Sequence, residues 1–518
     1  MHNSDAVTES RTQQTGSRPQ PPAGKSSAAK KWVYLFIALV AFLVLAKVTH
    51  LKSRIRPWFH PAPPENKQRQ FPPQVQGPIA TGKPDPEIRF EKVALPITKG
   101  IKFTCVLMSP DGLLYAGGDD GRIYRYPIQQ DGTLAKPQVI TSLQVAEHGN
   151  RLLTGFCFDP ASTPENPIIW VCHNYPAVRE APEFTSKLSR ISGKNLEKVE
   201  DVLVHLPRSY NDHLTNQPGF GPDGALYIPQ GSNSSSGGPD DYWGNRPERL
   251  LNGTILRLDV SKVTPGRPID VLTPDAGGTY DPYARHAPLT IYAGGLRNAY
   301  DLVWASDGRL YVPVNGAGAG GNTPAGDGVP ALTNLPEAED DWLFRITPGK
   351  YYGHPNPQQH HFVLNGGNPD GVPHSYTVAQ YPVGTKPDPD WVPAILDVGS
   401  HCSADGIIQY RGPQFGGKLD RSLLICRYNA GSDILCVQLD SDGNVRRVQS
   451  GMPGMTDFAG ALDLTEDVRN GNLYVSEYLG RRLTLLRPTV APSSMPATQP
   501  SSDTGSGKSL PDSRPTGG

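Results

Sequence analysis

Cationic stripes, haem-attachment motifs and long amphipathic helices are all missing from this sequence. Its 49 Lys and Arg balance 50 Asp and Glu to a formal net charge of −1, and no basic stretch carries interleaved aromatics, so no nucleic acid partner is expected. No Cys-x-x-Cys-His occurs, so the chain attaches no c-type haem of its own. Cysteine is scarce: Cys105, Cys157, Cys172, Cys402, Cys426 and Cys436 are the only six. The even number lets an exported chain form disulfides, and Cys157 with Cys172 and Cys426 with Cys436 fall on successive predicted strands. The alternative is small apolar side chains packed inside sheets. Without helical periodicity, the 55 glycines and 53 prolines fit a turn-rich all-β fold, although much of the proline lies in two tails.

Long apolar runs are nearly absent. The exception, Trp32 to Ala46, is bracketed by Lys30, Lys31 and Lys47 and extends to Leu51 if Lys47 snorkels, about the 20 residues of a spanning helix. No small-x-small cleavage site comes after it, which favours an uncleaved transmembrane helix over a signal-peptide core. Either reading exports the remainder of the chain. The expected organisation is a disordered cytoplasmic tail (1–31), a membrane anchor (32–51), a Pro-rich stalk (52–87), an extracytoplasmic, periplasmic domain (88–488) and a second disordered tail (489–518).

Within the domain a turn-then-strand phrase recurs: Ser109-Pro-Asp-Gly-Leu-Leu-Tyr, Gly221-Pro-Asp-Gly-Ala-Leu-Tyr, Ser306-Asp-Gly-Arg-Leu-Tyr and Asn470-Gly-Asn-Leu-Tyr. Asp-Gly or Asn-Gly supplies the positive backbone angles of a tight hairpin, and the apolar/aromatic pair after it suits a half-buried strand. Weaker units begin at Gly155 and Asp405. About six units predict a six-bladed β-propeller. Four long insertions, Ser232 to Arg249, Thr264 to His286, Ala317 to Glu339 and Gly353 to His401, are expected to line a site or to be disordered.

Two polar stretches, Asn211-Asp-His213 and Gly295-Leu-Arg-Asn298, each precede a predicted innermost strand and so fall near one mouth of the channel. An imidazole there can take a proton, and a guanidinium can stabilise an oxygen gaining negative charge. His354, His360, His361 and His401-Cys402 match no zinc spacing. Asp119-Asp-Gly121 and Asp440-Ser-Asp-Gly443 read as hairpin turns rather than calcium loops.

From about Asn150 to Leu483 the sequence resembles the glucose/sorbosone dehydrogenase family of quinoprotein six-bladed propellers. The likeness rests on Leu152-Leu-Thr-Gly-Phe-Cys-Phe-Asp-Pro, Asn211-Asp-His ahead of Gly-Pro-Asp-Gly, Gly295-Leu-Arg-Asn and Lys350-Tyr-Tyr-Gly-His-Pro. It implies pyrroloquinoline quinone (PQQ) over the channel mouth, a calcium ion polarising its reactive carbonyl, and a histidine removing a sugar hydroxyl proton as hydride passes to the quinone. A separate electron carrier then takes the electrons. By this resemblance His213 is the base and Arg297 stabilises the oxyanion. Asp212, Asn298, Asn150, Asn315, Arg427 and Asp341, or its neighbour Asp340, contact the cofactor, and the carbonyls of Gly316 and Ala317 hold calcium. The protein supplies orientation and field, and the quinone the redox chemistry.

The departures are specific. Ser232 stands where the family places the acid that orients the histidine, and the arginine pair that grips the cofactor carboxylates has no counterpart around Gly454 to Asp457. Either other basic residues substitute, Arg411 and Lys418 being candidates, or the propeller holds a different ligand or none. The alternatives are a non-catalytic propeller that binds a carbohydrate or protein partner, and a calcium-dependent lactonase-like hydrolase, which needs assembled carboxylate and amide ligands.

Overall fold

The structure is a computed structural model that describes residues 83–489. The expected cytoplasmic tail, membrane anchor, most of the stalk and residues 490–518 lie outside the described residues. Among the described residues no helix is long and apolar enough to cross a membrane.

The chain enters through β1 (Phe90–Ala94) and then winds through blades. Blade one is β2 (Phe103–Met108), β3 (Leu114–Gly118), β4 (Ile123–Tyr126) and β5 (Gln138–Ile140). Blade two is β6 (Leu152–Phe158), β7 (Ile168–Asn174), β8 (Ser186–Ser192) and β9 (Lys198–Leu206). Blade three has β10 (Gly219–Phe220), β11 (Leu226–Gln230), β12 (Thr254–Leu258) and, after β13 (Ile269–Asp270) has added parallel to β9, β14 (Leu289–Gly294). Blade four is β15 (Val303–Trp304), β16 (Leu310–Val314), β17 (Asp340–Ile346) and β18 (Leu396–Ser400). Blade five is β19 (Ala404–Gln409), β20 (Ser422–Arg427), β21 (Asp433–Leu439) and β22 (Val445–Gln449). Blade six uses β23 (Ala461–Asp467), β24 (Asn472–Glu477) and β25 (Arg482–Pro488), and β1 supplies its outer strand, antiparallel from Phe90↔Pro488 to Ala94↔Thr484. The fold is thus an all-β six-bladed propeller closed by pairing its first strand with its last.

The recurrent turns join innermost to second strands. At Ser109 to Gly112 only the glycine takes a positive φ, 79°, so the turn is not the tight hairpin with two left-handed residues that Asp-Gly suggests. The aspartate acts through its side chain instead: Asp223 accepts from Ala225 N–H at 3.2 Å and Asp307 from Arg309 N–H at 3.0 Å, the Asx-turn contact that orders the chain before the strand.

Apolar surface is buried between blades rather than at the axis. One cluster joins Trp170, Leu188 and Leu203 of blade two to Ile228 and Leu256 of blade three. Another joins Leu424 and Cys436 of blade five to Leu464 and Val475 of blade six, with Phe90 of the closing strand. All six cysteines are free thiols. Cys157 stands opposite Trp170 and Cys172 opposite Gly155, so these neighbours by strand are not partners; the packed alternative is what the fold adopts.

The axis is polar. Buried Asp463 on β23 accepts from Val106 N–H of blade one at 2.7 Å, and buried Asp301, just before β15, accepts from Ile407 N–H of blade five at 3.0 Å. Each carboxylate therefore serves backbone in a blade other than its own, and the Gln217 amide hydrogen-bonds both. Burial pushes Asp301 up to about 7. Inner strands β2, β6, β19 and β23 each carry a bulge near their first residues, which turns the backbone at the channel rim.

Candidate active site at the channel mouth

A cavity of about 1010 Å³ opens at the end of the channel where the innermost strands begin. His213, Arg297, Asp212, Asn298, Asn315 and Asp341 all line it. Its walls come from three of the four long insertions: residues 235–245, 318–334 and His401. Thr264 to His286 contributes nothing to it. Across the cavity Tyr300 O–H donates to the Thr104 carbonyl at 2.6 Å, tying the loop before β15 to blade one.

His213 is buried, and its protonation pattern is set by its partners. Nδ1 lies 2.9 Å from Ser232 Oγ and 3.2 Å from the Ser232 carbonyl. The carbonyl can only accept, and the single Ser232 hydroxyl proton goes to the Ser234 carbonyl at 3.0 Å. Nδ1 must therefore carry the proton, leaving a lone pair on Nε2. Burial, then the charge of Arg297, holds the imidazole well below its ordinary pKa, so at neutral pH it is an uncharged but weak base.

Trp243 organises this pair. It closes a short 3-10 turn, Asp241–Trp243, capped by Asp240, which accepts from Trp243 N–H at 3.1 Å. Its ring lies 3.9 Å from that of His213 and 5.7 Å from the Arg297 guanidinium. Arg297 Nε donates to the Ser235 carbonyl at 2.9 Å. Asn298 Nδ2 donates to Asn315 Oδ1 at 2.9 Å, and Asn315 Nδ2 to the Ala404 carbonyl at 3.3 Å. Asp341, rather than Asp340, lines the cavity, and its carboxylate accepts from Gly316 N–H at 2.9 Å and Ala404 N–H at 3.2 Å. It holds the wall together as well as facing the space.

Two expected cofactor residues are not brought to the cavity. Arg427, the last residue of β20, stands directly opposite Asp433 on β21 and pairs with it through two contacts of 2.7 Å. Asn150 is exposed and accepts from Gln144 Nε2 at 2.8 Å. Of the backbone proposed for calcium, Gly316 borders a small adjoining void and the Ala317 carbonyl accepts from Glu339 N–H at 2.8 Å. The histidine cluster disperses: His354 pairs with Glu248, His361 stacks on Tyr351, and His401 lines the cavity.

Sequence reasoning missed Trp243, Asp405, Tyr428 and Tyr478, which also line the cavity. Asp405 lies in β19 at its channel end, and burial pushes it up to about 7. Its position relative to an innermost strand was the available signal. Trp243 was foreshadowed only by the insertion that carries it.

No protein-family model matches the chain. Among solved structures it is similar to the calcium structure of a Trichoderma reesei carbohydrate-active enzyme of family AA12, with 14% identity over 80% of this chain and 99% of that one and a TM-score of 0.51. What they share is the propeller fold. PQQ-dependent sugar enzymes stand among the other structural neighbours. They include the PQQ-bound aldose sugar dehydrogenase of Streptomyces coelicolor (16% identity, 78% and 100% covered, TM-score 0.48) and the holo PQQ domain of Coprinopsis cinerea pyranose dehydrogenase (12%, 78% and 98%, 0.48).

The lining offers a tricarboxylate quinone few charge partners. Five carboxylates, Asp212, Asp240, Asp241, Asp341 and Asp405, face the cavity against one guanidinium, Arg297. Charge-assisted pairing is what holds carboxylates in such a site. Neither Arg411, Lys418 nor Arg427 lines the space, and Lys418 is paired with Asp85 and Glu87.

Proposed function

We propose that the cavity is a carbohydrate-binding site in which His213 accepts a hydrogen bond from one hydroxyl of a neutral polyol such as an aldose. The observation that carries this reading is the Nε2 lone pair of His213, fixed by Ser232 and seated against Trp243 beside Arg297. Indole and phenol rings offer apolar faces to sugar C–H groups, and the surrounding carboxylates and amides accept and donate to hydroxyls. A sugar brings no charge that the acidic lining would repel.

A second reading, PQQ-dependent oxidation of a sugar hydroxyl, is favoured by the meeting of His213, Arg297, Asn298, Asn315 and Asp341 on one cavity. One experiment tests both. The purified full chain is titrated with a panel of aldoses by calorimetry, then given calcium and PQQ and assayed for dye reduction. Saturable sugar binding with no quinone absorbance supports the first reading; sugar-dependent dye reduction supports the second, with a separate electron carrier as its partner. Absence of both overturns the carbohydrate assignment. We place the propeller outside the cytoplasm on the apolar run at 32–51; fractionation that recovers the full-length chain in the soluble cytoplasm would refute this.

A further inference from the structure

No carboxylate among the described residues touches the His213 ring; its Nδ1 partners are both atoms of Ser232. Ser232 N–H donates to the Arg297 carbonyl at 2.8 Å, and the two residues after Ser232 are held by a buried acid. Glu248 Oε2 accepts from Asn233 N–H at 3.0 Å, and Oε1 accepts from the Ser234 hydroxyl at 2.5 Å and lies 3.1 Å from His354 Nε2. Both side chains of the Glu248–His354 pair are almost wholly buried, at 0% and 3% exposure. His354 N–H donates to the Gly295 carbonyl at 2.9 Å, which ties the pair to the loop carrying Arg297.

We propose that Glu248, braced by His354, is the positioning residue for His213. It fixes the turn from Ser232 to Ser236 in the one arrangement that keeps the His213 proton on Nδ1. The inference rests on the reading of His213 as the hydrogen-bond acceptor. A carboxylate only accepts, so the Ser234 hydroxyl must donate to it, and Gly237 N–H donates to the Ser234 oxygen at 2.8 Å. The Ser234 carbonyl is then presented to Ser232, whose hydroxyl spends its proton there. With Gln at 248, one acceptor oxygen faces three donors, Asn233 N–H, Ser234 O–H and His354 Nε2–H. The turn loses its fixed polarity, the Ser232 hydroxyl is free to donate to Nδ1, and His213 takes the Nε2–H form, in which Nε2 no longer accepts.

The test is two-bond proton–nitrogen correlation NMR on the full chain labelled with 15N-histidine, with His213→Gln assigning the resonance. Wild type should show His213 as the Nδ1–H form. Glu248→Gln should shift the tautomer ratio toward Nε2–H by roughly five- to tenfold, the size expected of one hydrogen bond. Ser234→Ala, which removes one link but leaves the acid its Asn233 and His354 partners, should shift it the same way by less and serves if Glu248→Gln fails to fold. Folded variants that both keep the wild-type ratio, or a wild type already in the Nε2–H form, would overturn the proposal. Sugar takes no part in this readout, so a failed sugar titration would remove the functional reading and leave this one standing.

Discussion

Replacing Asp463 by Asn should flatten the pH dependence of the propeller's stability. Burial first, and then the charge of Asp301, pushes the Asp463 carboxyl well above its ordinary range. A group whose folded pKa exceeds its unfolded one contributes its stability fully below the unfolded value and loses it as pH rises toward the folded value. Above the unfolded value the folded chain therefore keeps a proton that the unfolded chain has released, and each pH unit over which it does so removes about 1.36 kcal/mol of stability. Unfolding entropy of about 2.1 cal/mol/K per residue over roughly 400 residues turns each such pH unit into about 1.6 °C of Tm. Asn does not titrate, but its one oxygen cannot serve both Val106 N–H and Leu464 N–H as Asp463 does, a cost of about 1–3 kcal/mol at every pH. The deficit in Tm of the variant relative to wild type should thus shrink as pH rises above about 5 in scanning calorimetry. Asp405, near 7, titrates in both proteins and adds a shared slope. Parallel curves for the two proteins would refute the reasoning.

The site and the closing strand can each be probed by one truncation. Trp243→Ala removes the buried ring against His213 and should weaken aldose binding about three- to tenfold by calorimetry, at a stability cost of about 3–5 kcal/mol. Phe90→Ala empties a buried position packed edge-on to Tyr410 and should cost about 3–5 kcal/mol, about 4–6 °C of Tm, without altering ligand affinity.

The propeller was legible because each blade announces itself where the chain must turn. Asp223 and Asp307 with the glycines after them mark the step from innermost to second strand, and counting such steps gives the blades. That geometry also placed His213 and Arg297 together, since both precede an innermost strand and such positions converge on the axis. Arg427 escaped because its neighbour is set by cross-strand register: Asp433 lies six positions on and directly opposite, and a near, buried carboxylate outcompetes a distant ligand. Trp243 was hidden because its insertion keeps no strand period, and Tyr428 because it lies just past the end of β20. The inverted charge of the cavity was equally invisible, for it arises only when Asp212, Asp240, Asp341 and Asp405 from separate loops and strands face one space.

The pairing of β1 with β25 carries a consequence for biosynthesis. The first strand to leave the ribosome is the last to find its mate, because nearly the whole ring must be translated before Arg482 to Pro488 exists. At about 5–20 residues per second that interval is roughly 20 to 80 s, during which Phe90 to Ala94 is an open edge. A nascent chain stalled or cut short of residue 482 would hold most of its blades and no seam, which makes the final stretch of translation the step at which quality control should act.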